Sequence, residues 1–227
     1  MKIFYRISDG SYKKERFPHA TKQNCLENFL KHFPKEEIIM YADNVKDETF
    51  TWLQSYDLNL KRTNGGSSAA GFRIVFEDAL LLPDDEIVYF VEDDYFHLEG
   101  SYQGILESLE RSHYVSLYDH VDKYIPAIMG GNPFIGEDGA EETKVFLTKS
   151  RHWKLTNSTT MTFATIVKTL REDADVWRHY TSGTYPHDYQ CFLTLRDKGR
   201  TLATPIPSLS THGEIRWAAP LIDWNNI

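Results

Sequence analysis

The feature of this sequence that most constrains its fold is an apolar run that ends abruptly on three acids. Residues 87–92 read IVYFVE, and Asp93 and Asp94 follow directly. Short, continuous runs of β-branched and aromatic residues are typical of buried strands. Open α/β sheets bind ligands at the carboxyl ends of such strands, and clustered carboxylates attract Mg²⁺ or Mn²⁺, which often retain substrate phosphates as ligands. The alternative for this segment is an exposed acidic turn after a core strand.

Strands and helices are predicted to alternate through the first half of the sequence. Short apolar runs are separated by segments whose apolar residues recur every three or four positions, which is typical of helices. The predicted strands cover residues 2–8, 37–41, 58–62, the apolar run from 87 that ends on the three acids at 92–94, and 114–118, and the predicted helices cover residues 18–33, 45–56, 64–83 and 102–109. This order favours an α/β fold with a mostly parallel, doubly wound, Rossmann-like sheet that is flanked by helices.

The second half of the sequence is less regular than the first. Its pattern predicts a Gly-rich loop at residues 130–142, a small hairpin at 144–149 and 153–160, and helices at 163–170 and 188–198. Prolines interrupt the extended segment 201–210, which favours an edge strand there. We therefore expect one domain over residues 1–227, with a nucleotide-binding half at 1–119 and a variable half at 120–227.

Composition excludes some classes of partner. The chain has 33 Asp and Glu against 25 Lys and Arg, and its net charge of -8 argues against nucleic-acid binding. Two cysteines, Cys25 and Cys191, lack metal-ligand spacing and are expected to be buried, reduced thiols, as in the cytosol. The sequence shows neither a signal-peptide pattern nor a run of about 20 apolar residues. We expect a soluble, cytoplasmic protein without a transmembrane segment.

Three segments together resemble the GT-A glycosyltransferases, in particular the family-2-like enzymes. Glu92-Asp93-Asp94 resembles the DxD motif, with Glu in place of the first Asp. Residues 64–70, NGGSSAA, resemble the N-x-G-x-S-x-A segment that opens a helix in this family. Asp43 follows the second predicted strand, where the family has an Asp pair that contacts the nucleoside. The family's next two residues, Arg-Asn, are replaced here by Gly71-Phe72.

The resemblance implies transfer of a sugar from a nucleotide-diphosphate sugar, such as a UDP- or GDP-sugar, to an acceptor hydroxyl. It also implies a divalent cofactor, Mn²⁺ or Mg²⁺, with Asp94 as a direct ligand and His212 completing the site. The residues that it assigns to the donor nucleotide are Asp43, Asn64, Gly66, Arg73, Glu92 and Asp93. A surface histidine in a loop is the alternative for His212.

Acceptor chemistry is assigned to the second half of the chain by the same resemblance. Asp188 opens the last predicted helix, where inverting members of the family place their general base, and an N-cap is its alternative role. The acceptor residues assigned in this way are His152, Trp153, Thr159 and His187. Aromatic residues such as Trp153 are equally typical of a core. The acceptor itself is expected to be a glycan, a lipid-linked sugar or a protein.

Two rival functions remain compatible with the sequence. A sugar nucleotidyltransferase has a similar α/β layout and a carboxylate-bound Mg²⁺, but usually carries several glycines in the loop after its first strand. Here residues 8–14 read SDGSYKK and contain a single glycine. A non-catalytic module that binds nucleotide or carbohydrate on the same fold is the second rival.

Overall fold

A nine-stranded sheet forms the centre of the protein in a computed structural model that describes residues 1–10 and 14–227. In spatial order its strands are β3 (Asn59–Thr63), β2 (Ile38–Asp43), β1 (Lys2–Ser8), β4 (Ile87–Glu92), β9 (Phe163–Ile166), β6 (Tyr114–Val115), β10 (Leu202–Ile206), β8 (His152–Thr156) and β7 (Val145–Leu147). The first four are mutually parallel. A second, two-stranded sheet pairs β5 (Tyr95–His97) with β11 (Ser210–His212).

Helices cover both faces of the large sheet. They are α1 (Lys22–His32), α2 (Asp47–Gln54), α3 (Ser68–Ala79), α4 (Ser101–Leu109), α5 (Val167–Glu172), α6 (Ala174–Tyr180) and α7 (Asp188–Asp197). Hydroxyls cap two of them, since Thr21 accepts from Asn24 N–H before α1 and Ser67 accepts from Ala70 N–H before α3. No helix in the described ranges combines the length and the apolar composition needed to cross a membrane.

The layered α/β architecture expected from the sequence is confirmed. β1 has the predicted bounds, and β7 and β8 form the predicted hairpin. Apolar residues from alternate positions of the strands fill two cores, one on each face. Tyr5 packs under α1 with Phe29, whereas its neighbour Phe4 packs under α3 with Phe72. Burial of both faces explains why the parallel strands are apolar almost throughout.

The predicted helix at residues 163–170 is wrong in its first half. Residues 163–166 form β9, which runs antiparallel between β4 and β6, and α5 begins only at Val167. The apolar stripe fitted a helix, but the segment is a short continuous run that is buried on both faces, a pattern that periodicity alone cannot separate from a helix. The following helix, α6, was not predicted.

The predicted edge position of residues 201–210 is also wrong. β10 lies inside the sheet, between β6 and β8. It pairs with β6 only at Leu202 and Ala203, so Pro205 lies beyond the end of that ladder. The missing N–H of Pro205 therefore leaves this short ladder intact, and the interior position is tolerated.

Candidate active site

A cleft of about 760 Å³ opens at the carboxyl ends of β1, β2 and β4. Strand-end residues are delivered there because these three strands are parallel neighbours in the sheet. The predicted site residues that line the cleft are Asp43, Gly66, Glu92, Asp93, Asp94, Asp188 and His212. These seven predicted residues, which are separated by up to 169 positions in sequence, thus all line a single cleft.

The three acids after β4 face different partners. Glu92 Oε1 accepts a hydrogen bond from Arg6 at 2.8 Å, and Asp93 Oδ2 accepts one from the backbone N–H of Ser8 at 2.9 Å. Burial, reinforced by the neighbouring charge of Asp94, raises the pKa of Asp93 above its ordinary value. Separate partners reduce the repulsion among the three carboxylates, and the exposed acidic turn considered from sequence does not form, because Asp93 and Asp94 are buried.

Asp94 is the centre of a charged cluster. Its Oδ2 lies 3.1 Å from Arg16 NH2, 3.4 Å from Lys14 Nζ and 3.2 Å from His212 Nε2. His212 reaches this point because β11 pairs with β5 and places it opposite Tyr95, next to Asp94 in the chain. Burial alone would raise the pKa of Asp94, but His212, Lys14 and Arg16 hold it well below its ordinary value. Asp94 is therefore a permanent carboxylate at neutral pH.

Asp94 Oδ2 and His212 Nε2 have the spacing of one edge of a divalent metal site. His212 Nδ1 accepts from the Glu214 backbone N–H at 3.2 Å, so a metal on Nε2 would require the ring proton to move to Nδ1, with loss of that hydrogen bond. Metal–ligand bonds of about 2.1 Å in an octahedron place adjacent ligands about 3.0 Å apart, close to the 3.2 Å between Oδ2 and Nε2. No group of three or more His, Cys, Asp or Glu residues suited to a metal occurs within residues 1–10 and 14–227. A metal held here would thus have two protein ligands and would take its others from water and phosphate oxygens. An imidazole ligand suits Mn²⁺ better than Mg²⁺.

Asp43 is used to hold a turn. It is 1% exposed; its Oδ1 accepts from Gly65 N–H at 2.8 Å and from the Thr63 hydroxyl at 3.1 Å, and its Oδ2 accepts from Asn44 Nδ2 at 3.2 Å. A Cβ at Gly71 would overlap Oδ2. Gly71, a departure from the resembled motif, is therefore required by the close approach of α3 to this carboxylate.

The segment before α3 contributes to the cleft through its later residues. Gly66, with φ of 77°, lines the cleft together with Ser67 and Ser68. Asn64 is exposed and Arg73 is partly buried, and neither is part of the cleft wall as the described residues define it. At the N-terminus of α3 the cleft is therefore lined by Ser67 and Ser68 and not by Asn64 or Arg73.

Asp188 is the first residue of α7, and His187 is the N-cap. The Asp188 carboxylate lines the cleft and accepts from the backbone N–H of Tyr189 at 2.8 Å. Burial, with a smaller contribution from the charge of Glu92, raises the pKa of Asp188 to about 6. A carboxylate with a pKa near 6 can both accept and release a proton close to neutral pH.

The four predicted acceptor residues lie away from the cleft that the described residues form. Trp153 is fully buried in the core and donates from Nε1 to the Thr148 hydroxyl at 3.0 Å. Thr159 is buried and bonded to another hydroxyl, while His152 and His187 point to solvent. For His152 and Trp153 the reason is that β8 lies four strands from β4, whereas Thr159 and His187 adjoin residues that line the cleft without lining it themselves. From the same segment, Thr160 and Met161 line the cleft instead.

Several cleft residues were not singled out from the sequence. They are Arg6, Lys14, Arg16, Tyr118, His120, Tyr185, Glu214 and Trp217. Arg6 carried a usable signal, because a charged residue inside an apolar strand requires an acid partner, and it lies 2.8 Å from Glu92 and 3.8 Å from Asp43. The aromatic residues carried none, since they come from loops that only the folded chain brings together.

The aromatic residues of these loops form one wall of the cleft, called the aromatic wall below. The His120 ring lies 4.9 Å from the Tyr118 ring and 5.4 Å from the Trp217 ring, centroid to centroid. His120 Nδ1 is 2.9 Å from Asp122 Oδ1, which fixes the imidazole in place. Tyr185, 63% exposed, adds a further ring at the rim. This wall combines apolar faces with polar edges, which suits a hydroxyl-rich ligand.

No protein-family model matches the chain, and no curated protein matches it. Solved structures do resemble it. GalNAc-T7 with UDP, GalNAc and Mn²⁺ aligns over 93% of this chain and 43% of its own, with a TM-score of 0.61 and 12% identity. TarS from S. aureus aligns over 90% of this chain and 35% of its own, at 0.52 and 16%.

A 4-diphosphocytidyl-2C-methyl-D-erythritol synthase from Anaerococcus prevotii aligns over 98% of this chain and 91% of its own, at a TM-score of 0.49 and 13% identity. The chain spans less than half the length of GalNAc-T7 and of TarS, which are both GT-A glycosyltransferases. The resemblance to the fold of these two enzymes, together with the sheet order and the cleft, leads to one conclusion: the chain has the GT-A fold.

Proposed function

We propose that the protein is a metal-dependent glycosyltransferase that moves a sugar from a UDP- or GDP-sugar to an acceptor hydroxyl, with inversion at the anomeric carbon. The observation that carries the proposal is the meeting of the Asp94–His212 donor pair with Asp188 in one cleft. Asp94 and His212 would bind the metal, and Asp188 would act as the general base. GalNAc-T7 is solved with UDP, GalNAc and Mn²⁺, which supports testing UDP and Mn²⁺ first.

The donor would lie along the acids and the N-terminus of α3. Backbone N–H groups at a helix N-terminus favour phosphate oxygens, and the hydroxyls of Ser67 and Ser68 lie beside them. Glu92, which accepts a hydrogen bond from Arg6, would accept from the ribose hydroxyls of the donor. A metal on Asp94 and His212 would neutralise charge on the diphosphate leaving group. Mn²⁺ is the favoured ion, with Mg²⁺ as the alternative.

Asp188 would act as the general base. Its carboxylate takes the proton of the acceptor hydroxyl while the hydroxyl oxygen forms its bond to the anomeric carbon, and the bond to the diphosphate oxygen breaks. The pKa near 6 leaves most of Asp188 ionised at neutral pH while it remains a stronger base than an ordinary aspartate. One displacement on the face opposite the diphosphate gives inversion.

The acceptor would enter between Asp188 and the aromatic wall of Tyr118, His120 and Trp217. A glycan, a lipid-linked sugar and a protein hydroxyl are the acceptor classes expected from the sequence. The division into a donor half at residues 1–119 and an acceptor half at 120–227 is retained with this proposal, as is a cytoplasmic location without a nucleic-acid partner.

Isothermal titration of UDP and of GDP, first with Mn²⁺ and then with EDTA, tests the donor half of this proposal. We expect one nucleotide to bind tightly with Mn²⁺ and much more weakly with EDTA. A screen of the matching sugar nucleotides for hydrolysis, and then for transfer to simple glycosides, follows. Absence of binding for both nucleotides under both conditions would refute the proposal.

A sugar nucleotidyltransferase is the second candidate, and one observation favours it. Lys14 and Arg16 follow β1 and line the cleft, where that class of enzyme places the basic residues that bind a nucleoside triphosphate. Such an enzyme would join a sugar 1-phosphate to the α-phosphorus of a nucleoside triphosphate, which forms the nucleotide sugar and releases the β- and γ-phosphates as pyrophosphate. A pyrophosphate-release assay separates the two enzyme classes, and nucleotide binding without turnover in either assay would indicate a binding module.

A further inference from the structure

Two basic side chains lie where a metal would approach its ligands. The ammonium group of Lys14 is 3.4 Å from Asp94 Oδ2 and 3.2 Å from His212 Nε2, so it contacts both atoms of the donor pair. The Arg16 guanidinium approaches the same Oδ2 at 3.1 Å. Glu214 Oε2 lies 4.0 Å from Lys14 Nζ on the outer side. Both donors of the pair are therefore already in contact with a protein cation.

A divalent ion and the Lys14 ammonium cannot both occupy this position. A metal bound to Asp94 Oδ2 and His212 Nε2 would take the position that the Lys14 ammonium now occupies and would repel its charge at short range. Asp94 is buried, so the repulsion is only weakly screened by solvent. The metal must displace Lys14 from the Asp94–His212 pair, and a new anion beside the metal would then attract the Lys14 ammonium.

We propose that Lys14 and Arg16 are resident counter-cations of Asp94 that compete with the divalent ion and transfer to diphosphate oxygens when metal and nucleotide bind together. This inference rests on the proposed function, because it takes the ligand to be a nucleoside diphosphate. Lysine suits the exchange, since its flexible stem lets one charge move between neighbouring anions, and arginine can bind phosphate oxygens through two N–H groups.

The exchange couples the two ligands. Metal alone is expected to bind weakly, because the bound ion would repel the nearby charges of Lys14 and Arg16. A diphosphate bound with the metal would attract both side chains and offset this repulsion. Each ligand therefore raises the affinity for the other by the same factor. Nucleotide without metal still binds measurably, because two basic side chains already line the cleft. The protein thus takes up its metal efficiently only together with its nucleotide.

Substitution of Lys14 gives opposite changes in two affinities. We expect Lys14→Met to bind Mn²⁺ alone about tenfold more tightly than the wild type, because a competing charge a few ångströms away is removed. We expect the same variant to bind UDP or GDP in EDTA about tenfold more weakly, since a phosphate partner is lost. Electron paramagnetic resonance of free Mn²⁺ gives the first affinity and calorimetry gives the second.

Matched variants control for charge and for folding. Lys31→Met removes an exposed lysine on α1 and should change neither affinity, while Lys14→Arg should return both affinities towards the wild type. Circular dichroism melting checks that each variant is folded. If Lys14→Met does not fold, the same changes are expected of Arg16→Met. Its gain in Mn²⁺ affinity should be smaller, because Arg16 contacts Asp94 but not His212.

The outcomes separate this inference from the proposed function. An Mn²⁺ affinity of Lys14→Met equal to or below that of the wild type would overturn the competition, and so would the absence of Mn²⁺ binding in every variant. Nucleotide binding with Mn²⁺ in the wild type would stand in either case. Conversely, a gain in Mn²⁺ affinity without binding of any nucleotide would refute the proposed function and the transfer to diphosphate, while the competition for Asp94 would remain.

Discussion

The two sides of the cleft differ in how they are built. The side proposed for the donor consists of strand ends and a helix N-terminus, and five predicted residues meet there: Asp43, Gly66, Glu92, Asp93 and Asp94. The side proposed for the acceptor consists of loop residues near positions 118–120, 184–186 and 214–217. None of the four residues predicted for an acceptor lies on that side within the described part of the chain.

The difference lies in what sets each position. Adjacent parallel strands end at the same edge of a sheet, so a residue after one strand is brought near residues after its neighbours by the topology alone. The acceptor side depends on contacts between distant segments. The His120 ring packs against the Trp217 ring, and the Tyr118 hydroxyl donates to the backbone carbonyl of Trp217, 99 positions later. Local sequence patterns do not encode such pairings.

Electrostatics separates the two sides further. On the donor side each carboxylate has a basic or N–H partner, as with Glu92 and Arg6, or Asp94 and Lys14. The acceptor side presents rings with charged residues beside them: Asp122 contacts His120, Arg216 lies over the Trp217 ring, and Glu214 also lines the cleft. A charged surface selects a ligand by its phosphates, whereas a surface of rings selects it by its shape and hydroxyls. This contrast yields four predictions.

The largest expected effect is on stability, from a residue that sequence assigned to the acceptor. Trp153→Ala should destabilise the protein by about 3–5 kcal/mol, because a fully buried indole is removed from the core. Urea denaturation followed by circular dichroism measures this change. His152→Ala, at the exposed neighbouring position, should stay within about 0.5 kcal/mol of the wild type.

An unchanged stability of Trp153→Ala together with a raised KM for the acceptor would contradict the comparison. It would place Trp153 on the acceptor surface after all. The expected result is lost stability with an unchanged acceptor KM in the folded protein. That result would indicate that the loop residues, and not Trp153, form the acceptor surface.

The limits of sequence prediction follow the same division. β1 was predicted with the observed bounds because its apolar run and flanking polar residues are local signals. β9 was taken for helix because a buried four-residue run fits both periods, and its antiparallel insertion between β4 and β6 is a long-range fact. Pro205 suggested an edge strand because proline lacks an N–H for a second ladder. The sequence does not show that the ladder to β6 is only two residues long and ends before Pro205.

The site shows the same pattern at the level of single residues. Asp94 and His212 were both predicted as metal ligands, and the fold brings them within 3.2 Å of each other. The role of Gly71 could not be predicted, because it depends on the Asp43 carboxylate lying against the first turn of α3. Lys14 and Arg16 were visible as basic residues, but the acid they contact is about 80 positions away.

The second prediction concerns the metal donor pair. Asp94→Asn should lower Mn²⁺-dependent nucleotide affinity by about 10²-fold or more, because the amide is a neutral and poorer ligand for a hard cation. Calorimetry with Mn²⁺ measures the loss, and a melting curve checks the fold. Asp85→Asn, an exposed position with the same change in charge, is the control. Retention of the full Mn²⁺ dependence in Asp94→Asn would remove Asp94 from the metal site.

The third prediction concerns the base. Asp188→Asn should lower transfer by about 10²-fold while donor affinity is retained, because only the proton acceptor is lost. In the wild type the rate should fall about tenfold per pH unit below pH 6, since the catalytic form is the carboxylate and protonation removes it. Above pH 7 this group should have no further effect.

The pH profile distinguishes a catalytic role from a structural one. If Asp188 only holds the first turn of α7, Asp188→Asn would keep the wild-type rate and also the fall in rate below pH 6, the acidic limb of the pH profile. Loss of the limb in the variant, with the residual rate independent of pH between 5 and 7, would assign the limb to Asp188. Folded protein must be confirmed at pH 5 for both forms.

The smallest expected effect is a gain in stability on the donor side. The pKa of Asp93 is raised in the folded state by burial and by the charge of Asp94, so the folded protein binds a proton there more tightly than the unfolded chain does. The contribution of Asp93 to stability is therefore favourable at low pH and is lost as the pH rises through the folded-state value. Asp93→Asn should stabilise the protein at pH 7.5 by about 1–3 kcal/mol.

This gain should vanish near pH 4, where Asp93 is protonated in the folded state and resembles the amide. The asparagine oxygen can still accept from Ser8 N–H, so the strand-end contact is kept. Urea denaturation of both proteins at the two pH values measures the difference, with Asp85→Asn as an exposed control. Destabilisation of Asp93→Asn at pH 7.5 would mean that the attraction of the Asp93 charge to Arg6 or Lys22 exceeds the cost of burying that charge. On the donor side Asp93 is thus expected to oppose stability at neutral pH, whereas Asp94, whose pKa is held below its ordinary value by His212, Lys14 and Arg16, contributes in the opposite direction.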